Sequence, residues 1–363
     1  MSAAEVRALA EALGGLSSRP WTLMEVCGGQ THAIVRWGLD QLLPPGLRLI
    51  HGPGCPVCVT PAATIDAALS LARRPEVILC SYGDMLRVPG SAPALAGAGE
   101  RDLLGVRAAG GDVRLLTSPL QALALARAHP ERQVVFLAVG FETTAPATAL
   151  LARQAQQLAL PNLSLLCAHV RVVPAMEAIL DDPDNRVQGF LAAGHVCAVT
   201  GLADLEDLVD RRRLPVVVTG FEPRELLAGL LACVRLLEEG RPAVENAYGA
   251  VVHRQGNPAA RALLEEVFEP ADGPWRGFGM VKAGVLRLRP AYAGLEAGRR
   301  FGLDAAASAP EQPDSCIAAR VLQGRAVPAD CPSFGSACTP EHPLGAPMVS
   351  SEGACAAWYR YRR

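Results

Sequence analysis

The chain has 363 residues, half of them hydrophobic, and its 34 Lys and Arg nearly balance 36 Asp and Glu, a formal net charge of −2. That balance leaves no basic face of the kind nucleic acid requires, and no apolar run approaches the ~20 residues of a membrane span. The length exceeds what one hydrophobic core usually fills, so two or three domains are expected.

The N-terminus, M-S-A-A-E-V-R-A-L-A-E-A-L, has the pattern of an amphipathic helix and lacks the character of a secretory leader. A soluble, cytoplasmic protein is the expectation. Cytosolic thiols stay reduced, so eleven cysteines point to metal binding or redox chemistry ahead of a disulfide framework. From about residue 20 to 235, β-rich runs at 22–26, 47–50, 77–80, 113–117, 134–139, 163–168, 189–192 and 215–219 alternate with helical patterns at 61–73, 120–129, 147–158, 174–180 and 203–212. This alternation implies an α/β fold of parallel sheets covered by helices on both sides. Gly-Phe-Glu follows two of the strands, at 140–142 and 220–222, by chance or as a trace of repetition. Residues 89–111 are rich in Gly, Ala and Pro and read as a loop with a short helix, a candidate flap over the cysteine site described next. Beyond 240 the alternation fails. The remainder reads as a separate irregular domain, against which the N-terminal helix is expected to pack.

Residues 25–61 carry the densest chemistry: E-V-C-G-G-Q-T-H, then H-G-P-G-C-P-V-C-V-T-P. Each follows a short apolar run that breaks on glycine and leads into a helix, which places Cys27, Cys55 and Cys58 at the carboxyl edge of a parallel sheet, where open α/β folds bind ligands. C-P-V-C is half of a zinc knuckle or a redox dithiol; no matching second pair exists, which favours redox or nucleophilic use. Thr60-Pro61 is a helix-start signal, and a thiol ahead of a helix N-terminus is drawn towards thiolate. Around Cys27, two glycines permit close backbone approach, and Gln30, Thr31 and His32 add donors, a setting suited to a soft metal carrying small hydrogen-bonding ligands. The bland alternative is a glycine turn with an incidental cysteine. Cys80, Cys167, Cys197 and Cys233 lie in apolar runs and read as inert core. Cys316, Cys331, Cys338 and Cys355 are spaced C-x14-C-x6-C-x16-C without a knuckle, which fits an Fe–S cluster better than zinc, although spacing alone does not separate the two. Glu142, His195 and Asp84 end strands and could line the same edge or simply cap loops.

Taken together these stretches resemble the HypD family of [NiFe]-hydrogenase maturation factors. The resemblance rests on residues 25–32 and 51–61 with S-Y-G-D-M-L-R-V-P-G (81–90), V-G-F-E-T-T-A-P (139–146), W-R-G-F-G (275–279) and the run from Cys338 to Tyr359. It implies two similar α/β domains, here 21–130 and 131–238, and a third, from 1–20 and 239–363, that carries a [4Fe–4S] cluster. It also implies a scaffold that works with a small HypC-type partner. The pair holds iron while a HypE-type donor supplies cyanide and carbon monoxide is added, before the Fe(CN)2CO moiety passes to the hydrogenase large subunit. On this reading Cys27 is the iron-holding thiolate with His32 nearby, Cys55 and Cys58 are the redox pair, and Cys316, Cys331, Cys338 and Cys355 are the cluster ligands. The chain departs from the family in having C-I-A-A at 316–319 where C-x-C-G is common, and Ala193 where proline is usual before G-H-V. The competing reading is a thiol–disulfide oxidoreductase with a four-cysteine zinc site.

Overall fold

The computed structural model describes residues 3–91, 100–303 and 316–362. In chain order, β1 (Trp21–Glu25) and β2 (Leu47–His51) begin one sheet. β3 (Val77–Ser81), β4 (Val113–Leu115), β5 (Gln133–Gly140) and β6 (Leu163–His169) form a second. β7 (Gly189–Ala193), β8 (Val216–Thr219) and β9 (Val244–Asn246) return to the first. The first sheet runs β2-β1-β7-β8-β9, the second β4-β3-β5-β6, and every neighbouring pair in both is parallel. Each thus follows the doubly wound order 2-1-3-4, with a fifth strand added to the first sheet.

Two similar α/β units are therefore present, but their boundaries differ from those expected. The second sheet is inserted whole between β2 and β7, and a division at 130/131 would cut through it between β4 and β5. Apolar periodicity reveals that a strand exists, whereas its neighbours depend on distant register: Leu23 on β1 pairs with Leu49 on one side and with Gly189 on the other. The Gly-Phe-Glu segments follow β5, third strand of its sheet, and β8, fourth strand of the other. The repetition lies in the winding order, and the tripeptides mark non-equivalent strands.

The N-terminal helix Ala3–Leu16 packs on the first sheet's helix Pro223–Glu238, contrary to expectation. Leu13 is buried among Leu226, Leu230 and Val234, and the Trp21 indole donates to Glu238 Oε1 at 2.6 Å. The C-terminal third is also less separate than its composition implies. β9 completes the first sheet, and the helix Pro258–Val267 lies on the helix Ala145–Gln157. A long hairpin, β10 (Phe268–Trp275) and β11 (Gly279–Leu288), packs against β6. Val267, Phe268 and Leu288 join Phe136, Leu163 and Leu165 in one core. Its P-A-D-G-P run falls in the remainder expected to be irregular, yet a two-stranded ribbon tolerates proline, and a bulge between Ala271 and Gly273 absorbs the irregularity. Only 316–362 consists of short elements around a small cluster of their own, Val321, Ala326 and Ala354. Of the expected flap, the helix Leu103–Ala108 is present and residues 92–99 lie outside the described residues. Among the described residues no helix is long and apolar enough to cross a membrane.

Candidate functional site

In a 2-1-3-4 sheet the crossovers leave the first and third strands towards opposite faces, and a crevice opens between them at their carboxyl ends. In the first sheet these strands are β1 and β7. β1 runs through Val26 into Cys27, and β7 runs into Gly194 and His195, which brings Cys27 Sγ within 3.7 Å of His195 Nδ1. Phe221, just beyond β8, packs against the imidazole at a tilt of 41° with ring centroids 5.1 Å apart. The sequence marks both Cys27 and His195 as strand-end candidates, and the fold brings them together.

Cys27 is the extended N-cap of the helix Gly28–Trp37. Its N–H donates to Glu25 Oε2 at 2.9 Å, and its carbonyl accepts from Thr31 N at 2.9 Å. Burial pushes the thiol well above its ordinary range, while the N–H groups of Gln30 and Gly29 pull it back and the carboxyls of Glu25 and Glu352 push it up further. The helix start therefore does not outweigh desolvation, and Cys27 is a protonated thiol at neutral pH until a cation displaces the proton.

The glycines serve chain packing more than ligand approach. Gly28 N–H is taken by Gly54 O at 2.8 Å, and a Cβ on Gly28 would come within 2.5 Å of Glu352 Cβ. A Cβ on Gly54 would lie 2.3 Å from Cys27 N and 2.4 Å from its Cα. The next residue, Cys55, caps the helix Pro56–Val59 and forms a disulfide with Cys58, the two Cα atoms 5.2 Å apart and both side chains buried. The three sulfurs thus occupy two adjacent strand ends on one rim.

His32 is elsewhere engaged. Its Nδ1 lies 3.0 Å from Ser351 O and its Nε2 lies 3.2 Å from the Tyr361 hydroxyl, so it anchors the C-terminal helix Ala354–Tyr361. Glu25 is the residue the sequence reading passes over. It is fully buried, and besides the Cys27 amide its carboxylate accepts from the Thr31 hydroxyl and bonds to His51 Nδ1 at 2.7 Å. The Trp358 indole N–H reaches His51 Nε2 at 3.4 Å. An indole only donates, so Nε2 accepts and His51 carries its proton on Nδ1, directed at Glu25. The available signal was an acid on an otherwise apolar strand, two residues before a cysteine.

The late cysteines also converge. Cys316 and Cys355 both feel the charges of Cys331 and Cys338, and Cys355 feels that of Cys316; burial pushes both thiols up. Leu344 N–H donates to Cys338 Sγ at 3.4 Å, and a Cβ on Gly345 would come within 2.8 Å of Cys316 Sγ. Among the described residues, no three His, Cys, Asp or Glu side chains close on a point as ligands of a single ion. Cys80, Cys197 and Cys233 are buried as expected of core thiols, and Cys167 is half-buried.

Glu142 follows β5 at the corresponding crevice of the second sheet, where the strands are β3 and β5. It is buried, with Oε1 accepting from Val172 N at 3.1 Å. Burial raises its carboxyl from 4.5 to about 7 against the pull of backbone N–H groups and Arg171. Asp84, just beyond β3, raises the Glu352 carboxyl, itself already raised by burial, and shares a cavity with His32 and Arg87. An acid raised on folding binds its proton more tightly in the native state, so Glu142 costs stability as pH rises from about 4.5 to about 7 and no further change follows above that. At ~1.4 kcal/mol per pH unit this is about 3 kcal/mol. Glu142→Gln should therefore be more stable than the parent by about this amount at pH 8 relative to the same comparison at pH 4.5. Urea titrations at the two pH values check it, and an equal difference at both refutes the protonated state.

Fold and site together define an α/β protein with a cysteine–histidine pair at one topological switch point and four further cysteines near its C-terminus. The family model HypD, described as "Hydrogenase formation hypA family", matches residues 3–362. Hydrogenase maturation factor HypD of Rhodobacter capsulatus is 45% identical over 361 residues, covering 99% of this chain and 94% of that protein. Its namesake in Azotobacter vinelandii is 49% identical over 351 residues (95% and 90%), and that of Escherichia coli K12 is 42% identical over 362 (99% and 94%). The chain belongs to the HypD family of hydrogenase maturation factors.

Proposed function

We propose that this chain holds iron at Cys27 while carbon monoxide and cyanide are attached to it for the [NiFe]-hydrogenase active site. The observation that carries the reading is the placement of Cys27 at the β1/β7 switch point, 3.7 Å from His195 and beside the Cys55–Cys58 loop. Iron is cargo here. A thiolate is a soft donor suited to iron with strong-field carbon ligands, and binding requires Cys27 to give up its proton, for which His195 Nδ1 is at hand. Burial holds His195 below the usual imidazole range, so it is neutral and able to accept. A HypC-type partner supplies a second cysteine to the same iron, a HypE-type protein delivers cyanide, and the finished moiety goes to the hydrogenase large subunit in the cytoplasm.

Cys316, Cys331, Cys338 and Cys355 fit a [4Fe–4S] cluster. Cys316 and Cys355 lie within electrostatic range of Cys331 and Cys338, with an N–H directed at the Cys338 sulfur, and as cluster ligands the four would not have to meet at one ion. Bound there, the cluster supplies electrons one at a time. Opening the Cys55–Cys58 disulfide takes up two electrons and two protons and leaves two thiols beside the cargo site. Anaerobically purified protein should be brown, with sulfide and at least as much iron, and Cys338→Ser should remove the visible absorption. Full iron and sulfide content in that variant, or zinc in the parent, overturns the ligand assignment.

A further inference from the structure

Where β1 leaves its sheet, a single side chain takes over as the neighbour of β7. The β1–β7 ladder ends with Val26 N–H donating to Leu191 O at 3.2 Å, and β7 runs on through Ala192 and Ala193 paired only with β8. From the first turn of the helix that Cys27 caps, Gln30 reaches back to these strand ends. Its Nε2 donates to Ala192 O and to Thr219 O at 3.2 Å each, with Gly220 O at 3.5 Å. Three carbonyls around one end of the amide fix that end as the nitrogen, because an oxygen there would meet acceptors only. Gln30 is fully buried, and its Oε1 has no hydrogen-bond partner among the described residues. Its N–H groups are spent inside the protein, so Gln30 is not the donor to a bound ligand that C-G-G-Q-T-H suggests.

We propose that Gln30 is a positioning residue, which sets the approach of Cys27 to His195 by clasping three segments of the chain together. The proposal rests on the reading of Cys27 as the thiol that holds iron and of His195 as the group that takes its proton. Each segment that Gln30 joins delivers one part of that site: Cys27 at the start of its own helix, His195 shortly after Ala192, and Phe221 directly after Gly220. These parts touch one another. Cys27 Sγ lies 3.7 Å from His195 Nδ1, and the His195 and Phe221 rings are 5.1 Å apart. Gly29, next to Gln30, sits so near Phe221 that a Cβ there would come within 3.1 Å of Cε1. Without the clasp, the β7 and β8 ends are free to move away from the helix, and the sulfur–imidazole contact opens. The unpaired Oε1 is a standing cost that an apolar side chain of the same length would not carry, so stability alone does not call for an amide here. An acid does not serve either, because a carboxylate would turn acceptors towards three carbonyls.

The test is nuclear magnetic resonance of the full chain, labelled with nitrogen-15 at its seven histidines. The ring-nitrogen signal of His195, identified as the one lost in His195→Gln, should move on Cys27→Ser in the parent. In Gln30→Met, which keeps the length of the side chain but has no N–H, that signal should no longer respond to Cys27→Ser. A residue that only held the fold together would leave the response intact in any variant that still melts cooperatively. The infrared bands of iron-bound carbon monoxide and cyanide should fall about tenfold in Gln30→Met, the lower end of what a residue one step from a metal contributes. Gln30→Asn, whose amide stops one methylene short, takes the place of Gln30→Met if the latter does not fold, with the same result expected. A cooperatively folded variant in which His195 still responds to Cys27→Ser overturns the positioning role. So does a parent in which His195 ignores Cys27→Ser, since the contact itself is then absent. A parent without the infrared bands overturns the cargo reading instead, and the nitrogen signals still decide the role of Gln30.

Discussion

On the proposed function, Cys27→Ser should remove the infrared bands of iron-bound carbon monoxide and cyanide from the anaerobically purified complex and leave the visible absorption expected of a cluster in place. The loss should be well beyond tenfold, since even residues one step removed from a metal are worth ~10–100-fold in affinity. A serine hydroxyl is a hard, neutral donor that does not ionise at this site, whereas the thiol is soft and gives up its proton to a metal. The substitution is near-isosteric, and the new hydroxyl keeps His195 Nδ1 and the Gln30 and Gly29 amides as partners. Thermal stability should therefore change by less than about 1 kcal/mol. The combination matters: bands at parental intensity would place the iron elsewhere, and an unfolded variant would contradict the packing around Sγ. Cys316, Cys331, Cys338 and Cys355 belong to other elements, so the absorption proposed for them would be an internal control within the same sample.

The contrast between what the residues announced and what they hid follows from the range of the interactions involved. The eight expected strands lie within two residues of those observed, because V-V-F-L-A-V or V-I-L-C buried on both faces of a sheet is a local pattern. The nesting of one sheet inside the other is not local. It depends on β1 pairing with both β2 and β7, and short apolar strands do not encode which partner they meet. The thiol rim was legible because glycine-terminated strands feeding helices have one geometric outcome. Choosing between the two histidines was not: His32, one turn into the helix after Cys27, points to Ser351 and Tyr361, while His195, far along the chain, arrives by strand order. The burial of Cys27 stayed hidden for a related reason. A helix N-terminus is visible in C-G-G-Q-T-H, whereas the residues that close against its two glycines, Glu352 on Gly28 and Phe221 on Gly29, come from segments the local motif does not mention. Glu25 shows the same limit: its partners Thr31, His51 and, through His51, Trp358 become a network only when three segments of chain close around it.

Gly54→Ala, one methyl group added at a position with no ionisable atom, should be among the most disruptive single changes in the chain. The new Cβ would sit 2.3–2.5 Å from Cys27 N, Cα and C, distances no relaxed structure shows. The obstacle is backbone on both sides, so a side-chain rotation cannot relieve it. Cys27 is pinned by the hydrogen bond its N–H donates to Glu25 Oε2 and Gly28 by the one its N–H donates to Gly54 O, while residue 55 is tied into the disulfide. Overpacking ordinarily costs ~1–3 kcal/mol, and the absence of any flexible neighbour puts this site at or above the top of that range, roughly 4 °C or more in thermal midpoint for a chain of this size. Gly298→Ala is the matched control, since nothing lies within 4 Å of its Cβ position and it falls inside the helix Ala297–Phe301. Alanine there should be neutral or stabilising by up to ~1 kcal/mol. If Gly54→Ala instead melts with the parent and the control, the β2 loop does not rest on Cys27, and the disulfide and the cargo thiol do not share a rim. If it melts early but retains full iron at Cys27, the rim is real and the cargo site tolerates a shifted backbone, which would move the burden of positioning iron from the loop onto His195 and the partner's cysteine.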